Sequence, residues 1–298
     1  MSLDKKIEEL GYEIVMGVET HVQLNTKTKL FCSCDNKEST TPNENICPVC
    51  TGQMGTLPEL NKVAVEKSII LGAGLNSEIP DLVRWDRKHY QYPDLPKNFQ
   101  LTQLDYPIIK GGYVKCFRDD GSDFTVELHH AHLEEDAGKL VHTDKYSLVD
   151  YNRCGTPLVE IVTEPCLHKV EDAETYAKYI QKIARHLGVS DADMEKGQMR
   201  SDVSISLRKK GTNDLNPRTE VKNLNSYAYM SKAVTEVVTK QLKHFEEHGV
   251  PSPDQVTAQY DAEKQVINVM RSKEDAADYR FSQEPDIPWL DISDLKAR

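Results

Sequence analysis

Four of the seven cysteines lie in two short pairs whose spacing is typical of a zinc site. Cys32 and Cys34 form the first pair, Cys47 and Cys50 form the second, and twelve residues separate the pairs. Tetrahedral Zn²⁺ binds thiolate sulfurs at about 2.3 Å, and cysteine pairs on turns supply them with little strain. Four unligated thiols are the alternative, but such a density is unusual. Because four cysteines leave no open coordination position, the sequence predicts a structural zinc.

A carboxylate and an imidazole stand two residues apart near the N-terminus. The segment Tyr12–Leu24 reads as a strand in which Glu19 and His21 share one face, while Val18 and Val22 share the other. Successive strand residues point to opposite faces, so this pair can reach into one cleft. An exposed polar face of an edge strand is the alternative interpretation.

A second set comprises histidines within a strand predicted at Phe124–Leu133 and acids that directly follow it. Adjacent carboxylates repel one another unless a cation or a basic side chain neutralises them, and Mg²⁺ prefers such hard oxygen ligands. An acidic turn in water is one alternative. A metallohydrolase site on the histidine-rich strand is another, although no H-E-x-x-H spacing is present. The set comprises His129, His130, His132, Glu134, Glu135 and Asp136.

Two further acids occupy strand-like segments. Glu160 interrupts the otherwise apolar Pro157–Val162, and Glu220 lies before Val221. A carboxylate in an apolar strand needs a partner, because burying it alone is strongly unfavourable. Lys88 and Arg200 are candidate counter-charges and phosphate ligands, with ordinary surface bases as the alternative. The chain contains no P-loop and no glycine-rich dinucleotide motif, so any bound ATP would rely on metals and bases for its phosphates.

The elements that must position these side chains do not alternate regularly between strand and helix. We therefore predict an α+β fold with a mainly antiparallel sheet and flanking helices. The irregular segment 31–58 is predicted to be a small zinc-binding element within the same domain. Besides the strands above, periodicity predicts strand and loop at 84–103, an acidic turn at 134–138, strands at 203–208 and 254–270, and helices at 61–75, 171–187 and 226–249.

Composition limits the class of function. The net charge is −11, from 48 acidic and 37 basic residues, which argues against a strong standalone nucleic-acid binder. No apolar run reaches the length of a membrane span, and the N-terminus has no export signal. An odd number of cysteines without an export signal argues against a disulfide framework. These features predict a cytoplasmic protein that does not enter membranes.

Several segments, in order between about residues 12 and 291, resemble the GatB family, the B subunit of the aspartyl/glutamyl-tRNA(Asn/Gln) amidotransferase. Taken together, the matching motifs are highly specific. They are EIVMGVETHVQL (13–24), YPDLPKN (92–98), HLEEDAGK (132–139), SLVDYNRCGTPLVEIVTEP (147–165) and VKNLNS (221–226).

The resemblance implies a cradle domain over residues 1–298, similar in fold to glutamine synthetase and guanido kinases. It also implies ATP- and Mg²⁺-dependent phosphorylation of the side-chain carboxylate of Glu-tRNA(Gln) or Asp-tRNA(Asn). Ammonia from a partner amidase A subunit would then displace the phosphate, with a small C subunit completing the complex. The family continues into helical and tail domains, absent from these residues, that grip the misacylated tRNA.

The resemblance also assigns roles to residues of this chain. It implies that Lys88 binds phosphate, that Arg200 and Glu134 support the site, and that the four cysteines hold zinc. Departures from the family pattern, such as Thr20 and Cys154, leave a divergent, non-catalytic scaffold for tRNA or a partner as the alternative function. The implied magnesium and nucleotide site comprises Glu19, His21, Glu135, Glu160 and Glu220.

Overall fold

The computed structural model describes residues 3–252, 254–261, 264, 266–272 and 278–297. The helices in this part of the chain are α1 (Leu3–Glu9), α2 (Lys62–Gly74), α3 (Asp172–His186), α4 (Tyr227–His248) and α5 (Ser293–Lys296). The strands are β1 (Tyr12–Gln23), β2 (Leu82–Val83), β3 (Asp86–His89), β4 (Phe99–Thr102), β5 (Ile109–Lys110), β6 (Tyr113–Phe117), β7 (Asp123–Glu135), β8 (Lys139–His142), β9 (Ser147–Asp150), β10 (Pro157–Thr163), β11 (Met199–Lys209), β12 (Thr219–Leu224), β13 (Val256–Asp261), β14 (Val266–Ser272), β15 (Ser282–Gln283) and β16 (Leu290–Asp291).

One large sheet dominates the fold. Its strands lie in the order β14-β13-β12-β11-β1-β10-β7-β5, with β6 pairing beside β7. All of these pairs are antiparallel except β12 with β13. The predicted α+β fold with a mainly antiparallel sheet is therefore confirmed. The strand β1, of 12 residues, lies between β10 and β11 and has neighbours on both edges.

The two faces of β1 differ as the alternation of its residues predicts. Val18, Thr20 and Val22 are fully buried, whereas Glu19 and His21 on the other face are only partly buried. The apolar face of β1 joins the buried stripe of α3 in one hydrophobic core, to which α4 also contributes. Burial of one face fixes the register, because a slip of one residue would exchange the two faces.

Helix predictions are confirmed to within a few residues. The side chain of Asn61 accepts hydrogen bonds from Val63 and Ala64 and so caps α2. The helix α4 ends at Gly249, whose φ of 72° lies in the left-handed region that glycine adopts without strain. The predicted strands at 254–270 correspond to β13 and β14, although residues 262, 263 and 265 lie outside the described part of the chain.

Where an acidic turn is predicted at 134–138, the strand β7 extends over the first two residues. Glu134 and Glu135 still belong to β7, where they pair with Leu158 and Pro157 of β10. Both carboxylates are about 3% exposed, and each has hydrogen-bond donors close by. Backbone pairing with β10 therefore outweighs the local preference of acidic residues for a turn.

The segment 31–58 contains no helix or strand within the described residues. Hydrogen bonds connect this segment to the end of β9. The backbone amide of Asn43 donates to the Asp150 side chain at 3.1 Å, and that of Asn45 donates to the Asn152 side chain at 2.8 Å. None of the described helices has the length and apolar content needed to cross a membrane.

Candidate functional site

Charged and imidazole side chains form a continuous row across five neighbouring strands, on the face of β1 opposite the hydrophobic core. Cross-strand register produces this row, because Glu19 pairs with Asp202 while His21 pairs with Glu160, which in turn pairs with His132. Directly opposed residues of paired strands project on the same side of a sheet. This polar row consists of Glu220 (β12), Asp202 (β11), Glu19 and His21 (β1), Glu160 (β10), and His132 and Glu134 (β7).

One end of the polar row is a histidine group, formed by His21, His132, Glu134 and Glu160. Ligand atoms of His21, Glu134 and Glu160 lie within 4.8 Å of one another. The Oε2 atom of Glu160 lies 3.2 Å from Nε2 of His21 and 3.5 Å from Nε2 of His132. The same nitrogen of His132 is 3.3 Å from Oε2 of Glu134. One strand-borne carboxylate thus links two imidazoles.

Mutual attraction governs protonation in the histidine group. Although burial opposes ionisation of Glu160, the charges of His21 and His132 hold the pKa of its carboxyl well below the ordinary value. Burial likewise disfavours a charged His132, but hydrogen bonds to Glu134 and Glu160 outweigh it and raise the pKa of this imidazole to about 10. A bound cation would replace the protons as the positive charge between these carboxylates.

The other end of the row is an acidic group, formed by Glu19, Asp202 and Glu220. One oxygen from each lies within 4.8 Å of the others. Lys222 supplies part of the counter-charge, at 3.2 Å from Asp202 and 3.0 Å from Glu220. Burial, followed by repulsion from Glu160, Asp202 and Glu220, raises the pKa of Glu19. The three carboxylates therefore carry more negative charge than Lys222 neutralises.

The two groups fit divalent cations of different character. Three carboxylates in the acidic group offer only hard oxygens, which suit Mg²⁺. The histidine group mixes imidazole with carboxylate, a set that also suits other divalent metals. Among the described residues, the Nδ1 atom of His21 is a buried polar atom without a hydrogen-bond partner. Such an atom next to clustered carboxylates is expected where a ligand is missing.

Arg200 lies beside the polar row but is engaged by a buried carboxylate. Its guanidinium is 3.0 Å from Asp136, whose second partner, Gln23, donates at 2.8 Å. Burial alone would raise the pKa of Asp136, yet the guanidinium groups of Arg200 and Arg153 hold it well below the ordinary range. Arg200 therefore anchors Asp136, the residue that directly follows β7.

Glu135 lies apart from both groups. Its carboxylate accepts hydrogen bonds from the Lys97 ammonium and, at 3.0 Å, from the backbone amide of Leu101. Strand alternation explains this position, since His132 and Glu134 share one side of β7 and Glu135 projects from the other. The structure brings Glu134, rather than Glu135, together with His21 and Glu160.

A cavity of about 470 Å³ opens beside the histidine group. Lys88, His132 and Glu160 line it, and the Lys88 ammonium lies 4.6 Å from the centre of the Tyr279 ring. His130 also lines the cavity, with its Nε2 atom 3.1 Å from Nδ1 of His132. Lys88 is thus a cation at the wall of a cavity that reaches the polar row.

A second cavity, of about 510 Å³, adjoins the acidic group. Glu19 lines it together with Gly17, which has no side chain beyond hydrogen, and with the small side chain of Ser204. Arg218 contributes a cation to the same lining. Open space therefore adjoins the polar row both at the histidine group and at Glu19.

His129 and His130 belong to no group of potential metal ligands in the described part of the chain. Their Nδ1 atoms lie 2.7 Å apart, so the two rings form a hydrogen bond with each other. Burial, and then the charges of His132 and His129, lower the pKa of His130 to about 4. The geometry gives the histidine-rich strand no ligand set of its own.

The four cysteines converge as their spacing predicts. One sulfur from each of Cys32, Cys34, Cys47 and Cys50 lies within 4.8 Å of the others, an arrangement compatible with zinc. The pKa of Cys50 is lowered to about 4, chiefly by a hydrogen bond from Cys32, although burial acts to raise it. A thiolate is the form that binds metal.

A buried lysine lies against this cysteine quartet. Lys29 is 1% exposed, and its ammonium lies 2.8 Å from the Asn45 carbonyl and 3.7 Å from Sγ of Cys50. Within the residues that the structure describes, Lys29 forms no ion pair with a carboxylate. A negatively charged sulfur cluster is the counter-charge that such a buried cation needs.

Three residues of the site were missed from sequence. Asp202 completes the acidic group, Lys222 partly neutralises it, and Lys97 holds Glu135. Lys222 could have been predicted, because Glu220 and Lys222 lie two residues apart on β12 and so share one face of the strand. Asp202 is recognisable only from the pairing of β11 with β1, which joins residues far apart in sequence.

Comparisons with known proteins identify the family of this chain. The family described as the GatB/GatE catalytic domain matches residues 14–297. Similar proteins include the aspartyl/glutamyl-tRNA(Asn/Gln) amidotransferase subunits B of Chlamydia caviae, 44% identical over 95% of this chain, and of Lachnospira eligens, 43% identical over 95%. The subunit of Chlamydia muridarum is 44% identical over 97%. The chain spans 59–60% of the length of these relatives. It belongs to the GatB/GatE catalytic domain family.

Proposed function

We propose that this chain activates the side-chain carboxylate of a misacylated tRNA, Glu-tRNA(Gln) or Asp-tRNA(Asn), with ATP and Mg²⁺. The observation that carries the proposal is the polar row, in which two ligand groups lie side by side on one open sheet face. Two cavities that adjoin the row, one at the histidine group and one at Glu19, leave room for two substrates. Family membership supports the same reaction class, because the relatives are named as tRNA amidotransferase subunits.

The reaction needs charge neutralisation more than it needs a protein nucleophile. A carboxylate resists attack by ammonia, because its charge repels nucleophiles and its oxygen leaves poorly. Transfer of the γ-phosphoryl group of ATP to a carboxylate oxygen releases ADP and creates a good leaving group. Ammonia then attacks the carbonyl carbon, phosphate departs, and the nitrogen loses a proton. Phosphoryl transfer depends chiefly on positioning and on neutralising the developing charge.

In this proposal each part of the row has a separate role. The acidic group and the histidine group would hold divalent cations, which would supply charge neutralisation for phosphoryl transfer. Lys88 binds phosphate oxygens at the cavity wall, and Arg200 keeps the end of β7 in place through Asp136. Glu135 acts as a positioning residue by fixing Lys97. The cysteine quartet holds a structural zinc.

The proposal extends to partners and architecture. We place the chain in the cytoplasm, as one cradle domain like that of glutamine synthetase, with segment 31–58 as its zinc-binding element. An amidase A subunit would deliver ammonia, and a small C subunit would complete the assembly. Helical and tail domains of the kind that the family resemblance implies would grip most of the tRNA body. The net charge of −11 agrees with a weak general affinity of this chain for nucleic acid.

Calorimetric titration of ATP with and without Mg²⁺ tests the proposal. Wild-type protein should bind ATP only with the metal, and Glu160→Gln and Asp202→Asn should each weaken binding by about tenfold or more, as expected for altered metal sites. Glu247→Gln, an exposed position on α4, is the matched control and should behave as wild type. No Mg²⁺-dependent binding by wild type would replace the proposal with the non-catalytic scaffold.

A further inference from the structure

Four aromatic side chains form a cluster on the surface beside the histidine group. The rings of Tyr90 and Tyr92 are stacked, with centroids 5.9 Å apart and planes at 19°. Tyr279 contacts Tyr90 edge-on at 5.9 Å and Phe281 at 6.2 Å. We call Tyr90, Tyr92, Tyr279 and Phe281 the aromatic cluster. None of the four belongs to the hydrophobic core of the described residues.

The cluster is exposed where burial would be favourable. Tyr90, Tyr92 and Phe281 keep 38%, 43% and 38% of their surface in contact with solvent. A contiguous exposed aromatic patch on a soluble protein commonly marks a binding surface. The cluster also carries a cation, because the Lys88 ammonium lies 4.6 Å from the centre of the Tyr279 ring. Aromatic faces next to a lysine are the combination that binds single-stranded nucleic acid.

The loop that presents Tyr90 and Tyr92 is fastened at several points. The Tyr90 amide donates to the Asn98 carbonyl at 3.2 Å. Behind the loop, the Tyr151 hydroxyl donates to the Pro93 carbonyl at 2.9 Å, and the Gly138 amide donates to the Asp94 carbonyl at the same distance. A surface held in its binding geometry loses little conformational entropy when a ligand arrives.

The position of the cluster connects it to the candidate site. Phe281 and Lys88 line the same cavity of about 470 Å³ as His132 and Glu160. A substrate whose carboxylate binds a cation held by Glu160 would extend through this cavity toward Phe281, the member of the aromatic cluster that lines it. In an aminoacyl-tRNA, the carrier of this carboxylate is the unpaired 3′ end, whose bases present flat faces and whose phosphates are negatively charged.

We propose that the aromatic cluster binds the unpaired 3′-terminal nucleotides of tRNA, with bases stacked on the tyrosine rings. This inference rests on the proposed function, which requires the aminoacyl end to reach the polar row. Stacking accepts any base and acts at short range. It therefore gives an acidic chain a hold on RNA where long-range attraction to phosphates is weak.

Fluorescence anisotropy with a labelled six-nucleotide RNA ending in cytidine-cytidine-adenosine tests this binding. Wild-type protein should bind this RNA more tightly than a duplex of the same sequence. Tyr90→Ala and Tyr92→Ala should each weaken binding by about tenfold, the usual effect of removing one stacking partner. Tyr90→Phe keeps the ring and should retain the wild-type affinity. Tyr113→Ala, at a 48% exposed tyrosine on β6, is the matched control.

Failure of this inference is distinct from failure of the proposed function. Equal affinity of all variants, absence of RNA binding by wild type, or equal binding of duplex and single strand would each overturn the aromatic site. Circular dichroism of every variant ensures that a weakened affinity is not a loss of folding. The Mg²⁺-dependent titration of ATP with wild-type protein tests the proposed function independently, because it uses neither RNA nor the aromatic variants.

Discussion

The cysteine quartet and the polar row differ in what holds their ligands in place. The quartet lies in segment 31–58, which has no helix or strand among the described residues, so its backbone receives little support from regular hydrogen bonding. The polar row lies on five paired strands of one sheet, with β1 at the centre. A metal would organise the first site, whereas the fold has already organised the second.

The two sites also differ in electrostatic balance. Lys29 is buried against Cys50, so a cation is built into the cysteine site. In the acidic group, Lys222 faces three carboxylates, and the pKa of Glu19 is raised by burial and by its acidic neighbours. Clustered carboxylates of this kind weaken the folded state and prepare it for a cation. The comparison teaches that the two groups lack different things: the cysteine quartet lacks regular backbone structure, whereas the polar row lacks balanced charge.

The largest expected effect comes from breaking the quartet. Cys47→Ser should reduce bound zinc from one per chain to nearly none, because a tetrahedral site needs all four thiolates and structural zinc can contribute about 10 kcal/mol or more. Elemental analysis measures the metal, and limited proteolysis should show new cleavage within 31–58. Cys166→Ser is the matched control, since Cys166 lies outside the quartet. Unchanged zinc content in Cys47→Ser would contradict the assignment.

A smaller effect is expected from the buried ion pair beside the row. Arg200→Gln leaves the Asp136 carboxylate with weaker support and should lower the free energy of unfolding at pH 7 by about 3–5 kcal/mol. Chemical denaturation of both proteins measures this difference. Arg208→Gln, which removes a more exposed pair with Glu13, should cost about 1 kcal/mol or less.

The same pair predicts a pH dependence. The folded-state pKa of Asp136 lies below its unfolded value, so its contribution to stability is present above the unfolded pKa of about 3.9 and is lost as the pH falls through the folded pKa. The difference between wild type and Arg200→Gln should therefore narrow from about pH 5 downward. A difference that stays constant across this range would show that the ion pair is not its source.

The smallest expected effect has the opposite sign. Glu19→Gln removes one of three repelling carboxylates and should stabilise the metal-free protein at pH 7 by about 0.5–2 kcal/mol, while weakening its affinity for Mg²⁺. The pKa of Glu19 is raised in the folded state, so the wild-type penalty exists above the unfolded pKa and disappears in acid. Thermal unfolding with chelator and with added Mg²⁺ measures both effects. A destabilised metal-free variant would rule out charge strain at Glu19.

Local patterns predicted the parts of the molecule that local physics determines. The alternation in Tyr12–Leu24 correctly predicted that Glu19 and Val18 lie on opposite faces of the strand. The spacing of the four cysteines correctly predicted that their sulfurs lie close together. The register between strands depends on packing between residues far apart in sequence, so local patterns could not predict it. This is why Asp202 was missed, and why Glu134 lies beside His21 and Glu160 while its neighbour Glu135 does not.

The pairing of β1 along both edges makes the chain differently tolerant of two kinds of sequence change. Substitutions at Glu19 or His21 alter one side chain and leave the backbone ladders with β10 and β11 intact. Deleting a single residue within β1 would turn carboxylates toward α3 and expose valines in their place. Point substitutions can therefore change the ligand side chains of this strand one at a time. An insertion or deletion within it would disrupt both the candidate site and the hydrophobic core at once.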